Sequence, residues 1–551
     1  MKAVIIGGVA GGASCGARLR RLDENAEIVI LEKGDYISFA NCGLPYHVGG
    51  VIRERRSLFL QSPKGMKTKY NIDVRVKNEV ISINRDKKTV TVKKLDTGEI
   101  YEESYDKLVI ATGSTPIKPN IPGISSPCIK TIWSINDTEE IIGLIKRENV
   151  KQAAIVGGGF IGLEMAENLH RIGVKVSILE MQNQVMPPLD YEMALPVHKH
   201  LKEKGTELFL SDGVSAFSDT GKGIDIKLSS GKIINTDMAV LAIGVRPNSS
   251  LARDGVLTIG ERGGIVTDDS LRTSDKDIYA VGDVIEVKDY IFGDKTVIPL
   301  AGPANKQGRI AADNIAGYNS TYKGTQGTSV VRVFDLTAAT TGVNEKALIK
   351  RGLVKGKDYE SIIIVQNSHA GYFPGTKPMT IKLLFSADGK KIYGSQIVGF
   401  EGVDKRIDVI ATAIRLGGSV FDLKDFELAY APPYSSAKDP VNMAGFTAEN
   451  LIKGQVRFCE WNAAETDRDA FLIDVREPGE IDIFAIPGAL NITLGELRSR
   501  ADELLPYKDK NIIIFCGVGI RAYNAMRILN QKGFEKVFVY PGGSWFYKNT
   551  H

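Results

Sequence analysis

The chain has 551 residues, 43% of them hydrophobic and 25% charged, with 70 Lys and Arg against 66 Asp and Glu for a formal net charge of +4. That length exceeds what one hydrophobic core supports, so about three or four domains are expected, and a charge so near balance gives no footing to nucleic-acid binding. The 5 cysteines (15, 42, 128, 459 and 516) are odd in number and far apart, which argues against a disulfide scaffold and for a reducing, cytoplasmic setting.

The first residues read as a strand entering a glycine turn rather than as a leader, and no apolar run is long enough to cross a bilayer, so no membrane partner is expected. Val4 to Ile6 is an apolar run of the parallel-strand kind. It is followed by Gly7-Gly8-Val9-Ala10-Gly11-Gly12, a helix through Arg21-Leu22, and a second strand from Glu27 to Leu31 that ends at Glu32. This is a dinucleotide-binding unit in which Gly7 and Gly12 permit a tight turn and close packing, and Val9 replaces the middle glycine. Backbone N–H groups at the helix start, around Ala10 and Gly11, would hold a pyrophosphate, and Glu32 the ribose hydroxyls. Cys15 reads as a buried small hydrophobe, and so does Cys128.

Cys42 stands in Ser38-Phe39-Ala40-Asn41-Cys42-Gly43-Leu44-Pro45-Tyr46 with no second cysteine four or five positions away, so an internal disulfide relay is excluded. Asn41 and Gly43 open the backbone beside it. N–H groups at a following helix start and a nearby oxidised flavin are expected to lower its pKa and favour the thiolate. The strand Asp106 to Ala111-Thr112-Gly113 marks where the chain leaves this fold for a second one. There Ala154 to Val156 leads into Gly157-Gly158-Gly159-Phe160-Ile161-Gly162, then a helix and a strand closed by Glu180. All three fingerprint glycines, 157, 159 and 162, are present. An acid at 180 accepts bonds from a free 2′-hydroxyl and repels a 2′-phosphate, which favours NADH over NADPH. Val240 to Gly244 repeats the exit pattern. Thr273, the strand Asp277 to Val281 and Gly282-Asp283 then place a carboxylate beyond a glycine, suited to a flavin ribityl or pyrophosphate, ahead of a helix from Ala304 to Ile315. Two dinucleotide sites in one chain point to a nicotinamide donor facing a bound flavin.

Residues 325–445 carry strands and a helix from Asp404 to Leu416 but no further cofactor motif, which suits an interface domain. From Val456 a compact α/β pattern follows: Phe471 to Arg476, Asn511 to Cys516, a helix from Ala522 to Lys532 and a strand from Lys536 to Tyr540. Cys516-Gly517-Val518-Gly519-Ile520-Arg521 places a thiol at the carboxyl end of a buried strand. Inward N–H groups would stabilise a thiolate or persulfide there, and Arg521 would hold an anionic group. Cys459 lies in the joint and is incidental.

These motifs together resemble the pyridine nucleotide–disulfide oxidoreductase family over the first 445 residues or so. The Cys42 segment is most similar to coenzyme A disulfide reductases and related persulfide reductases, and the C-terminal part to single-domain rhodaneses. The resemblance implies an α/β architecture with a discontinuous FAD-binding domain (1–112 and 241–324), an NAD(P)H-binding domain (113–240), an α+β dimerisation domain (325–445), a linker (446–456) and a rhodanese-like domain (457–551). It implies a homodimer in which Tyr372 and Tyr430 enter the active site from the partner subunit as proton or hydrogen-bond donors, with Tyr434 as the competitor for the second role. It also implies a cofactor contact at Ala301. Arg18, Arg21, Lys64, Lys67 and Lys69 are candidates for the coenzyme A phosphates, and Ser38, Asn41 and Lys306 for the thiol path.

Hydride would pass from NADH to flavin and two electrons on to sulfur held at Cys42, while Cys516 handles sulfane sulfur. A fused rhodanese favours coenzyme A persulfide or polysulfide over bare disulfide as substrate. The six-residue Cys-to-Arg span favours sulfur over phosphate. Two alternatives stay open: a single-cysteine NADH oxidase or peroxidase working through a Cys42 sulfenate, which the family usually equips with a histidine where this chain has Ala10, and a non-enzymatic thiol sensor.

Overall fold

The computed structural model describes residues 1–551, which divide into two compact units: 1–183 with 206–327, and 184–205 with 328–551. No helix is long and apolar enough to cross a membrane.

The first unit is organised by two five-stranded, fully parallel sheets. In one, Lys2–Ile6 lies between Lys107–Ile110 and Glu27–Leu31, with Ile278–Ala280 and Asp73–Arg75 outside them. In the other, Gln152–Val156 lies between Met238–Leu241 and Lys175–Leu179, with Ile129–Thr131 and Glu207–Phe209 outside. The central strands are apolar along nearly their whole length because helices or appended antiparallel sheets cover both faces. Each central strand ends in a glycine loop and feeds a helix, Ala10–Leu22 or Phe160–Arg171. The chain leaves the first fold through Ser114–Pro116 and returns through Val245–Pro247, and these two crossings pair antiparallel with each other. Helix Ala301–Ile315 begins earlier than the sequence suggested and lies so close to Ala10–Leu22 that a Cβ at Gly308 would collide with the Gly11 carbonyl.

The second unit contains a five-stranded antiparallel sheet, ordered Ser329–Val333, Leu336–Gly342, Ile392–Gly399, Pro378–Ser386, Tyr359–Asn367. It also contains a four-stranded parallel sheet, ordered Leu490–Asn491, Phe471–Asp474, Ile512–Phe515, Val537–Val539. Residues 184–205, which sequence order places within 113–240, cluster here. The reason is a buried ion cluster: Lys382, only 1% exposed, meets Asp190 at 2.9 Å, Glu345 at 2.5 Å and Glu192. A lysine so deep is tolerable only when carboxylates surround it, and together they fasten helix Tyr191–Glu203 to the antiparallel sheet. The expected joint at 446–456 is mostly helical, since Pro440–Ile452 runs through it from an Asp439 cap and buries Val441, Ala444 and Ala448. The last helix, Gly543–Thr550, packs on Tyr191–Glu203 within this unit, and Lys199 donates to the Lys548 carbonyl at 2.7 Å.

Candidate functional site

The two glycine loops are built alike. Gly7 and Gly157 both have strongly positive φ, and a side chain on either would strike the crossing strand's carbonyl, that of Ala111 or Ala242. Likewise a Cβ at Gly12 would collide with the Gly7 carbonyl, and one at Gly162 with that of Gly157, so both helices start hard against their loops. The terminal acids are aimed by those loops: Glu32 accepts from Gly8 N at 2.9 Å and Gly34 N at 2.7 Å, and Glu180 accepts from Gly158 N at 2.7 Å and Gln182 N at 2.8 Å. At Gly159 an added Cβ would meet nothing within 4 Å, so the second loop leaves room for a phosphate above it.

Asp283 lies on a 3-10 turn after strand Ile278–Ala280 and accepts from Ser114 Oγ at 2.9 Å; burial raises its carboxyl. Thr112 and Gly113 are pinned to Asn248, while Gly244, just past strand Met238–Leu241, and Ala301, at the start of its helix, are exposed. This donor set fits two dinucleotides: FAD on the first loop and NAD(P)H on the second.

Cys42 is exposed, in the middle of a 3-10 turn, Asn41–Gly43, that runs directly into helix Leu44–Val48. One expectation is corrected here. The protein's own groups raise this thiol: desolvation acts first, then the negative fields of Glu164 and Asp283, and its backbone hydrogen bond pulls the other way without prevailing. The N–H groups beside Cys42 therefore do not outweigh its desolvation and the two acids. Glu164, on helix Phe160–Arg171, is itself pushed up to about 7 by burial and meets the Tyr46 hydroxyl at 3.3 Å. Sequence reading missed Glu164. Its only signal was position, two residues past Gly162.

A cavity of about 330 Å³ opens beside the Cys42 segment and is lined by Ser14, Arg18, Arg21, Ser38, Asn305 and Arg309, among others. It joins three residues named from sequence: Arg18, Arg21 and Ser38. Arg18 is held by Asp313 at 2.7 Å, and Arg21 is exposed. Arg20 between them is buried and spends its guanidinium on the carbonyls of Tyr70, Asp23, Glu24, Ala26 and Asn71. Ser14, one helical turn before Arg18, was findable from the period, whereas Asn305 and Arg309 lie one turn apart on a face that Lys306 does not share. Lys64, Lys67, Lys69, Asn41 and Lys306 are not among the lining residues. On helix Pro63–Tyr70 it is Met66 and Tyr70 that face the cavity, and the lysines are exposed.

In the second unit the structure brings Tyr372 and Tyr430 together, their hydroxyls 2.9 Å apart, and both rings are exposed. That hydrogen bond raises the Tyr430 phenol. Tyr434, also exposed, is not part of the pair. Cys516 is buried at the end of strand Ile512–Phe515, and its Sγ accepts from Gly519 N at 3.1 Å. The loop is fixed from behind, where Ser544 N donates to the Cys516 carbonyl at 2.7 Å and Trp545 N to that of Gly517 at 3.1 Å. Gly543 must be glycine because a Cβ would strike the Cys516 carbonyl. A second expectation is corrected here. Arg521 is not an open anion hook, because its guanidinium already forms a bidentate pair with Glu480, at 2.5 and 2.7 Å. Glu480, 41 positions before Arg521, was not among the residues singled out from sequence. Cys15 is fully buried and pushed up to about 12, whereas Cys128 is only half-buried. Cys459 is also half-buried and pushed up to about 12.

Two linked dinucleotide folds, a thiol after the first, and a rhodanese-type cysteine loop define a flavin- and nicotinamide-dependent oxidoreductase that handles sulfur. The pyridine nucleotide-disulphide oxidoreductase profile matches residues 1–308, its dimerisation domain residues 328–440, and the rhodanese-like domain residues 460–547, so the chain belongs to that oxidoreductase family with a rhodanese-like domain attached. The chain is similar to the reduced CoADR-RHD of Bacillus anthracis, with 50% identity and a TM-score of 0.95 over 100% of this chain and 98% of that one. It is also similar to a NAD-dependent persulfide reductase from A. fulgidus, with 38% identity and a TM-score of 0.93 over 99% of this chain and all of that one. The coenzyme A disulfide reductase of Staphylococcus epidermidis is 34% identical over 449 residues, 81% of this chain and 100% of the relative.

Proposed function

We propose that the chain reduces coenzyme A persulfide with NADH, so that CoA-SSH, NADH and a proton give CoA-SH, hydrogen sulfide and NAD⁺. Coenzyme A disulfide and polysulfide are further substrates. The observation that carries this reading is the cavity that Ser38 of the Cys42 segment lines together with three arginines for phosphates, Arg21, Arg309 and Arg18, the last held at its Nε by Asp313. The names of the relatives, a coenzyme A disulfide reductase and a persulfide reductase, support it.

Bound FAD supplies the relay that carries an electron pair from the nicotinamide hydride to sulfur. The residues do the rest. The Cys42 thiolate attacks the outer sulfur of the persulfide, a new S–S bond forms at Cys42, and the coenzyme A thiolate leaves. An electron pair then cleaves the Cys42 persulfide and sulfide departs. The leaving thiolate needs a proton, and the Tyr372–Tyr430 hydroxyl pair, entering from the partner subunit of a homodimer, is assigned to donate it. Glu180, its carboxylate held by two backbone N–H groups, favours NADH by repelling a 2′-phosphate. Cys516 takes up sulfane sulfur and passes it to coenzyme A.

Anaerobic NADH oxidation is to be compared with coenzyme A persulfide, coenzyme A disulfide, polysulfide and peroxide, in the wild type and in Cys42→Ser. The persulfide is expected to be preferred and Cys42→Ser to be inactive. A strong preference for peroxide would instead support the sulfenate reading.

A further inference from the structure

The Cys516 loop carries a single cation, Arg521, and that cation is already engaged. Its Nη1 and Nη2 donate to Glu480 Oε2 at 2.5 Å and Oε1 at 2.7 Å. The pair lies over the loop: a Cβ added at Gly517 would sit 3.2 Å from Arg521 Nη2 and 3.8 Å from Glu480 Oε1. Glu480 is itself anchored, because its Oε2 also accepts from Glu477 N at 3.2 Å in a capping box at the start of helix Pro478–Ile483. The negative fields of the Cys516 sulfur and of Glu477 reach Arg521 as well. Around this neutralised centre the rim is apolar, with Val518, Ile520, Ile483 and Trp545 all exposed.

A thiosulfate-type donor presents an oxyanion head whose natural partner is the guanidinium fork. Here the head would have to displace a bidentate carboxylate and sit against like charge. At its reacting end an organic persulfide carries at most one charge, on the sulfur that is transferred, and any phosphates lie at the far end of the carbon chain. That charge meets the Gly519 N–H, which already points at Cys516 Sγ, while the carbon chain packs on the apolar rim.

We propose that Glu480 is a specificity residue: by occupying Arg521 it makes Cys516 take sulfane sulfur from organic persulfides and turn away inorganic oxyanion donors. The step needs no oxidant or reductant. The Cys516 thiolate attacks the outer sulfur of R–S–SH, a Cys516 S–S bond forms, and the donor's own S–S bond breaks. RS⁻ leaves with the pair and is protonated by the proton the outer sulfur carried, leaving a Cys516 persulfide anion. This rests on the reading of Cys516 as the sulfur-accepting thiol.

The test uses the full chain without NADH. Single-turnover loading of the Cys516 peptide is followed by mass spectrometry, with coenzyme A persulfide and with thiosulfate as donors. In the wild type the persulfide is expected to load at least about tenfold faster, and Glu480→Gln, which keeps the capping geometry and removes the charge, is expected to narrow that ratio about tenfold. An unchanged ratio in Glu480→Gln overturns the proposal. So does a wild type that loads as fast from thiosulfate, a result that needs no variant to fold. Sulfur found on other cysteines and never on Cys516 refutes the underlying reading instead, whereas loading of Cys516 with an unaltered donor ratio refutes only the role of Glu480.

Discussion

The two reactive-type thiols of this chain are prepared in opposite ways. Cys42 is exposed on a short turn, and its protein surroundings push the thiol up through desolvation and the fields of Glu164 and Asp283. Cys516 is buried at a strand end with a backbone N–H donated to its sulfur and an arginine overhead. The contrast is one of surroundings. At Cys516 a backbone N–H points at the sulfur, whereas at Cys42 desolvation and two acids act against the thiolate.

Deleting each thiol in turn has the largest expected effect. Cys42→Ser is expected to lose NADH-linked sulfur reduction by at least about a thousandfold while Cys516 still loads with sulfur, and Cys516→Ser is expected to do the reverse with coenzyme A disulfide as oxidant. If either variant loses both activities, with its flavin spectrum intact, the two thiols are not independent stations. A smaller effect is expected at the cavity. Arg21→Ala should raise KM for coenzyme A substrates about tenfold through lost phosphate contact, with little change for inorganic polysulfide, as steady-state kinetics with both substrates would reveal. A rise for both substrates would remove Arg21 from phosphate binding.

Tyr430→Phe should then lower kcat for disulfide substrates by about ten- to a hundredfold at nearly constant KM, measured alongside Tyr372→Phe and Tyr434→Phe, the last as the control. Equal effects from Tyr434→Phe would dissolve the pairing argument. The smallest effect concerns pH. Burial raises the Glu164 carboxyl to about 7, so the folded chain binds this proton more tightly than the unfolded one does. The stability it contributes is full below the ordinary carboxylate range and is lost as pH rises through about 7. Glu164→Gln should flatten that loss, so that its Tm relative to wild type is a few degrees higher at pH 8 than at pH 5. A Tm difference that does not vary with pH would mean that Glu164 titrates normally.

Much of the scaffold was legible because it obeys local rules. Gly7, Gly12, Gly157 and Gly162 stand where a Cβ would collide with backbone, and the acids at 32 and 180 fall at the ends of parallel strands; both constraints show in one dimension. The rhodanese loop was found for the same reason, since six consecutive residues contain it. The basic residues around the cavity were only partly legible. Arg18 and Arg21 face it from one helix, whereas Arg20 between them is structural, and Lys64, Lys67 and Lys69 lie off the face that Met66 and Tyr70 present. Which side of a helix meets a cavity depends on its neighbours, and charge counting does not see that.

Turn sterics and strand burial dictate residue types locally, which is why the two dinucleotide folds, the thiol at 42 and the cysteine loop at the far end can be read along the chain. What surrounds the thiols is set by the folded packing. Residues 164 and 283 reach Cys42 from 122 and 241 positions away in the chain, and Glu480 reaches Arg521 from 41 positions away. Electrostatics acts through space over a few ångströms, so a charge that sets a cysteine's chemistry need leave no mark beside it in the chain.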